Sequence, residues 1–205
     1  IREDVESRGL GDVYKRQGKG VVEGKQTRRA FPAHPTKPIT AWGLIGAGIR
    51  AYDYMDGVQN KYGVKTVILE VDGEEVFRST IDRFAYEENR YINSWTHGQY
   101  MKSFIEPGNR LRMLQASNGN RGLVEINEER PYRFVYTLSD ALGNTSKVRF
   151  TVQGQKTTIA PVEHREKYAL KWDKVNYLQE PGLELVIPKG MLYDDVLLNL
   201  SLIHI

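Results

Sequence analysis

The chain has 205 residues, with 29 Lys and Arg against 26 Asp and Glu, and a formal net charge of +3. This balance is typical of a mixed, solvated surface and excludes the strongly basic field of a nucleic-acid-binding protein. The lack of cysteine excludes disulfides and thiolate chemistry, and no apolar run reaches the ~20 residues that a membrane span needs.

Both ends of the chain look like translated adapter DNA. Residues 12–17 can be back-translated as GAT GTG TAT AAG AGA CAG, and the reverse complement of that DNA encodes residues 200–205. One DNA element, read on opposite strands, therefore accounts for both ends, and it resembles the mosaic end of a sequencing adapter. We expect residues 1–17 and 200–205 to be adapter-derived, and residues 18–199 to be the natural segment.

The first natural residues predict a linker. Residues 18–38 contain three prolines and a basic cluster at Lys25, Arg28 and Arg29, with no sustained apolar pattern. We interpret this stretch as a connection from a preceding part of the protein.

Residues 39–154 have the apolar period of β-strands. Apolar side chains alternate with polar ones in residues 66–71, 133–138 and 147–152. Alternation places one set of side chains in a core and the other in solvent. We predict an antiparallel β-sandwich of the immunoglobulin or fibronectin type, with a core that includes Val67, Leu69, Phe134, Tyr136, Val148 and Phe150.

Turn residues agree with this prediction. Asp72-Gly73 predicts a two-residue hairpin, because both positions of a type I′ turn need positive φ. Residues 140–144 predict a longer hairpin loop, and the glycines at 46 and 48 suggest a bulge or close packing.

Two regions interrupt the strand pattern. Residues 95–121 are long and mixed, and we interpret them as an insertion or a crossover. Residues 155–181 are polar and predict a linker. Alternation returns at Leu183, Leu185 and Ile187, so residues 182–199 predict the start of a second, truncated β domain.

Candidate catalytic and metal-binding residues are few. His34, His97 and His164 lie far apart and have no ligand at metal-like spacing, so we expect loop or surface histidines. The glycine-rich residues 43–48 lack the lysine and helix of a phosphate loop. We therefore predict no catalytic, cofactor-binding or metal-binding residue in this chain.

Acidic residues at three places raise the possibility of calcium or of acid–base chemistry. Asp53, Asp56 and Gly57 lack the regular oxygen spacing of a calcium loop, and we interpret them as a turn. The same reading applies to Asp194 and Asp195. The third group of carboxylates consists of Asp82, Glu87 and Glu88. We expect these side chains to lie on a solvated face.

Aromatic residues suggest either a sugar-stacking surface or a core. We favour the core for most of them, and Trp95 is the best candidate for exposure, because it opens the long insertion. The others are Trp42, Trp172, Tyr52, Tyr54, Tyr86 and Tyr91.

Several motifs together resemble a known protein family. They lie at residues 39–57, 62–64, 71–73, 82–84, 90–94, 106–111, 129–134, 181–185 and 187–190. They are similar to the region that follows the catalytic domain in lysostaphin-type zinc metallopeptidases, which are bacterial peptidoglycan endopeptidases.

The resemblance implies a β-rich accessory region of an exported, cell-envelope enzyme, periplasmic or secreted. That family holds zinc with a His-x-x-x-Asp and a His-x-His motif, and neither occurs in this chain. Zinc is therefore expected in a catalytic domain upstream, with no cofactor in this fragment. The expected partner is peptidoglycan or an envelope protein, with no nucleic acid and no membrane span.

Three functions remain open from the sequence. The first is a non-catalytic module that positions a zinc endopeptidase on the wall. The second is a glycan-binding module, motivated by the tryptophans and tyrosines. The third is a structural spacer of a bacterial surface protein, motivated by one β domain following another. The oligomeric state stays undetermined.

Overall fold

The computed structural model describes residues 10–26, 29–54, 60–83, 85–161 and 166–199, with side chains from Gly20 onward. The chain is all-β, as predicted. Twelve strands form one curled sheet in the order β11-β8-β7-β13-β14-β3-β1-β4-β10-β9, with β12 added to β3 and β2 added to β1. The curled sheet encloses the core in a sandwich-like fold.

The strands of the first part of the chain are β1 (Leu10–Val22), β2 (Arg29–Phe31), β3 (Ile39–Gly46), β4 (Gly48–Ile49), β5 (Asp53–Tyr54), β6 (Lys61–Tyr62), β7 (Thr66–Val71), β8 (Glu74–Thr80), β9 (Thr96–His97), β10 (Tyr100–Lys102), β11 (Leu114–Ala116), β12 (Val124–Ile126), β13 (Pro131–Ser139) and β14 (Thr145–Gly154). A 3₁₀ helix at Tyr86–Tyr91 continues into a single α-helical turn, α1 (Ile92–Trp95).

The core forms where the sequence has period two. Strands β7, β13 and β14 lie side by side and antiparallel. The Phe134 ring lies opposite that of Phe150, with centroids 5.0 Å apart. All six side chains that the sequence assigned to the core are buried, and Leu69 and Tyr136 have no exposed surface.

The predicted hairpins are confirmed. Strands β7 and β8 are joined by Asp72 at φ 53° and Gly73 at φ 91°, the two positive values that a type I′ turn requires. Asp140 closes the β13–β14 loop, because its Oδ1 accepts hydrogen bonds from the backbone N–H groups of Leu142 and Asn144. A Cβ on Gly46 would lie 2.6 Å from the Phe104 ring, so close packing requires this glycine.

Strand β3 joins two parts of the sheet. The start of β3 runs parallel to β14, with Ile39–Ala41 in register with Val152–Gly154. The end of β3 pairs antiparallel with β12. Its other edge pairs with β1. Strand β3 therefore links the first and last strands of the sandwich.

Residues 95–121 connect opposite ends of the sheet. Strands β9 and β10 lie at one end, where β10 pairs with β4, and β11 forms the other end, where it pairs with β8. This stretch therefore crosses from one end of the curled sheet to the other.

A second unit follows, and it begins earlier than the sequence predicted. Its strands are β15 (Tyr168–Leu170), β16 (Asn176–Glu180), β17 (Leu183–Ile187) and β18 (Val196–Leu198). β15 pairs with β18, and β16 pairs with β17. Strands β15 and β16 lie within residues 155–181, which were predicted as a linker. The pattern was hidden because the buried positions of β16 are Asn176 and Leu178, so the polar residue removes the alternation.

Residues 18–38, predicted as a linker, also contain strand structure. The segment Gly20–Val22 pairs with Gly43–Ala41, and β2 pairs with β1. Strand β1 begins at Leu10, inside the range that the sequence assigns to adapter DNA. Arg28 lies outside the described residues.

The buried ring of Phe150 tests the core. Phe150→Ala should lower the free energy of unfolding by about 3–5 kcal/mol, because it leaves a cavity beside two aromatic rings. Urea denaturation measures the change. Leu142→Ala is the matched control: this side chain is 90% exposed, so its loss should alter stability by less than about 0.5 kcal/mol. Equal effects of the two variants would contradict the core assignment.

Removal of residues 1–17 and 200–205 tests the adapter interpretation. We expect an essentially unchanged melting temperature, because translated adapter DNA is not part of the natural protein. Differential scanning calorimetry of the full and shortened chains gives the answer. A large drop would mean that residues 10–17 stabilise the fold through their pairing with β3.

Candidate functional site

An extensive polar contact between distant segments lies between the two units. We call it the joint. Its residues are Arg90, Tyr91 and Gly108 of the first unit and Gly190, Met191 and Tyr193 of the second.

The Arg90 guanidinium lies at the centre of the joint. Its Cζ is 5.0 Å from the centre of the Tyr91 ring and 5.9 Å from that of Tyr193, and these two rings meet edge to face. Its Nη2 donates hydrogen bonds to the carbonyls of Gly190 at 3.1 Å and Met191 at 3.4 Å. The cation therefore satisfies carbonyls of the second unit while it contacts aromatic faces of both units.

Backbone contacts close the joint on its other side. The N–H of Gly108 donates to the Tyr193 carbonyl at 2.7 Å, and the Tyr193 hydroxyl donates to the Arg90 carbonyl at 2.7 Å. A Cβ on Gly108 would collide with the carbonyl oxygen of Leu192 and lie 2.9 Å from Cα of Tyr193. Docking of the second unit therefore requires glycine at this position.

Buried polar contacts hold the first-unit side of the joint. The Ser94 hydroxyl donates to Glu106 at 2.6 Å, and Glu106 also pairs with Lys102. The Asn109 side-chain amide donates to the Tyr91 carbonyl at 2.9 Å. Ser94 and Lys102 are buried. These contacts fix residues 90–94 against residues 106–111, two of the stretches that carry the family resemblance.

A second set of such stretches meets at the β7–β8 turn. The Arg130 guanidinium donates to Asp72 at 2.6 Å and lies 3.8 Å above the Tyr132 ring. Burial alone would raise the pKa of Asp72, but the Arg133 N–H and the Arg130 guanidinium together lower it below its usual value. The turn at residues 71–73 is thus held against residues 129–134.

The prediction of a solvated carboxylate face is wrong for Glu88. Asp82 and Glu87 are exposed, whereas Glu88 is buried. Its carboxylate accepts hydrogen bonds from Arg112 at 2.8 and 3.1 Å and from the Ala85 N–H at 2.8 Å. The Arg112 guanidinium, followed by the Ala85 N–H, lowers the pKa of Glu88 to about 2.

Arg112 also lines an open cavity at the edge of the sheet, which we call the polar cleft. It has a volume of about 290 Å³. Its lining residues are Thr80, Asp82, Arg83, Arg112, Met113 and Gln115. Met113 is buried and the flanking charged side chains are exposed. The cleft therefore combines an apolar residue with charges of both signs.

The described part of the chain does not bring the candidate histidines and aspartates together. His34 and His97 are exposed, and His164 lies outside the described residues. Asp53 belongs to β5, and Asp56 and Gly57 lie outside the described residues. Asp195 accepts hydrogen bonds from Lys171 and the Trp172 N–H, and its own N–H donates to the Asp194 carboxylate.

The prediction that Trp95 is exposed is also wrong. We expected exposure, but its side chain is only 4% exposed, and its Nε1 donates to the Lys102 carbonyl at 3.0 Å. The α1 turn directs the ring into the core, where the indole N–H still finds an acceptor. Trp42 and Trp172 are half-buried, and Tyr86 is 89% exposed. The remaining candidates, Tyr52, Tyr54 and Tyr91, are half-buried.

Among the described residues, no group of three or more His, Asp and Glu side chains is arranged to hold a metal ion. No described helix has the length and apolarity that crossing a membrane requires.

The sequence did not reveal the joint. Arg90 and Tyr193 are about a hundred positions apart, and no local pattern connects them. Gly108 carries no local sign of a contact with the second unit. The one available signal was that Arg90, Gly108 and Gly190 lie in stretches that we interpreted as sharing one family resemblance, whereas Tyr193 lies outside them.

The Glu88–Arg112 pair predicts a pH dependence of stability. The pKa of Glu88 is depressed in the folded state, so its contribution is complete above the unfolded value near 4.5 and is lost as pH falls towards 2. Glu88→Gln should therefore be less stable than the wild type at pH 6, and the gap should close between about pH 4.5 and pH 2. Urea denaturation across this range measures it. Glu125→Gln, an exposed control on β12, should show no gap, and a constant gap for Glu88→Gln would contradict the pairing.

Gly108→Ala should release the second unit. The new Cβ would collide with backbone of residues 192 and 193. Two-stranded hairpins are marginal alone, so amides of β16 and β17 should lose hydrogen-exchange protection while β13 and β14 keep theirs. Gly119→Ala is the matched control, because a Cβ there meets open space. Unchanged protection in Gly108→Ala would contradict the joint.

Comparison with known proteins gives one partial match. A family model described as a Zu5-like domain matches residues 167–204. These residues include the whole second unit, so this unit is similar to a Zu5-like domain. No curated protein matches the chain, and no solved structure matches it.

Proposed function

We propose that this chain is a non-catalytic module of an exported zinc metallopeptidase that acts on peptidoglycan. In this proposal, the chain sets the position of the catalytic domain relative to the cell wall or to an envelope protein. The protein would function in the bacterial cell envelope. The joint is the observation that carries the positioning role.

The position of the resembling stretches supports the proposal. Residues 90–94, 106–111 and 187–190 meet at the joint, and residues 71–73 and 129–134 meet at the β7–β8 turn. Five of the nine stretches that resemble the accessory region of the peptidase family thus take part in contacts that fix one element against another. This arrangement suits a module whose task is geometric.

The physical chemistry of the joint also suits positioning. Domain interfaces within one chain are usually polar and allow relative motion. Here Arg90 contacts two aromatic rings and donates hydrogen bonds to backbone carbonyls of the second unit. Gly108 lets the backbones of the two units meet in a hydrogen bond. Together these contacts define one docked arrangement. A fixed arrangement of two β units can hold a tethered domain at a set distance from its substrate.

A structural spacer is the second candidate. The joint favours it equally, because a spacer also needs rigid contacts between successive β units. The hypothesis of a glycan-binding module has less support, because Trp95, its main candidate for stacking against a sugar, is buried. Among the aromatic residues that the sequence suggested for stacking, Tyr86 is the most exposed.

Two assays on the purified chain test the proposal. With added zinc, the chain should release no peptides from purified peptidoglycan sacculi, and it should cosediment with them if the wall is its partner. Hydrolysis that a chelator abolishes would contradict the non-catalytic role. Loss of cosedimentation in Tyr86→Ala would favour glycan stacking, with Tyr62→Ala, another exposed tyrosine, as the control.

Recovery of the intact gene separates the peptidase from the spacer. Long-read sequencing across both presumed adapter junctions gives the neighbouring reading frames. An upstream domain with His-x-x-x-Asp and His-x-His motifs is the expected result. Further β domains with no zinc ligands would contradict the peptidase assignment and leave the spacer.

A further inference from the structure

The polar cleft has features of a binding site that the positioning role does not use. Its volume of about 290 Å³ is at the small end of ligand pockets, which suits a fragment of one or two residues. It combines the guanidinium groups of Arg83 and Arg112, the carboxylate of Asp82, and the polar side chains of Thr80 and Gln115.

Arg112 is held in place before any ligand arrives. Its Nε and Nη2 donate to the two oxygens of Glu88, a buried carboxylate that the Ala85 N–H also holds. The Arg112 side chain is nevertheless 76% exposed, so its remaining N–H groups are open to solvent. An arginine fixed by a buried partner loses little conformational freedom on binding, which favours recognition of a carboxylate.

The charges of the cleft identify the class of ligand. Glu88 balances the charge of Arg112, and the opposite charges of Arg83 and Asp82 remain at the rim. A ligand with only a negative charge would be repelled by Asp82, and a ligand with only a positive charge would be repelled by Arg83. A ligand with both a carboxylate and an ammonium satisfies both side chains.

We propose that the polar cleft binds a very short peptide, of about one or two residues, whose free carboxylate and free ammonium group both lie in the cleft. The carboxylate is recognised by Arg83 and Arg112, and the ammonium by Asp82. Met113 supplies the apolar contact for a small side chain. This inference deepens the proposed function, on which it rests for the natural source: the peptides of the cell wall.

The test uses the whole, ¹⁵N-labelled chain and four alanine dipeptides. Alanyl-alanine carries both charges, its N-acetyl form lacks the ammonium, its amide lacks the carboxylate, and the doubly blocked form lacks both. Alanyl-alanine at millimolar concentration should shift the amide signals of Thr80, Met113 and Gln115. Each singly blocked form should bind about tenfold more weakly, since each loses one charge-assisted contact.

Variants assign each charge to its partner. Arg83→Gln should weaken binding of alanyl-alanine about tenfold and leave binding of its amide unchanged. Asp82→Asn should weaken alanyl-alanine similarly and leave the N-acetyl form unchanged. Arg149→Gln, an exposed arginine on β14, is the control and should bind like the wild type. All three positions are exposed, so folding should be unaffected.

Equal binding of all four dipeptides, or no shift at the cleft, would overturn the inference. Cosedimentation with sacculi separates this failure from that of the proposed function. Dipeptide binding without binding to sacculi keeps the cleft and removes the wall as its source. Binding to sacculi without a dipeptide shift at the cleft keeps the proposed function and removes this site.

Discussion

The Arg90 guanidinium, placed between two tyrosine rings and two backbone carbonyls, is the contact on which the arrangement of the two units depends. The second unit has little core of its own. Within residues 166–199, only Leu170 and Leu178 are buried hydrophobic residues. Two two-stranded sheets with so small a core are marginal in water. Their stability therefore comes in large part from docking against the first unit.

This dependence gives the long crossover at residues 95–121 a physical role. It connects the two ends of the curled sheet, and together with residues 90–94 it carries the first-unit side of the joint. Ser94 directly precedes this crossover, and it forms a largely buried polar network with Lys102 and Glu106 of the crossover. Such networks are costly unless every group is satisfied, and satisfied ones favour a single conformation. A segment that looked like an interruption of the β pattern is therefore the support for the second unit.

The sequence predicted the parts of the fold that local patterns determine. Strands β7, β13 and β14 were visible because apolar residues alternate, and Asp72-Gly73 was visible because its turn demands positive φ. Strand β16 was not, because buried Asn176 interrupts the pattern. Trp95 was misjudged because it opens the stretch that was predicted as an insertion, while the tertiary fold buries it. Burial of Glu88 depends on Arg112, and the joint depends on residues about a hundred positions apart. Such long-range pairings have no local signature.

Both the positioning role and the stability of the second unit depend on a rigid joint. Amide ¹⁵N relaxation on the intact chain measures this rigidity. We expect residues 29–154 and 166–199 to report one common rotational correlation time, that of a single tumbling body. A distinctly shorter correlation time for residues 166–199 would show that the second unit moves independently, and would contradict a module that fixes the position of its neighbours.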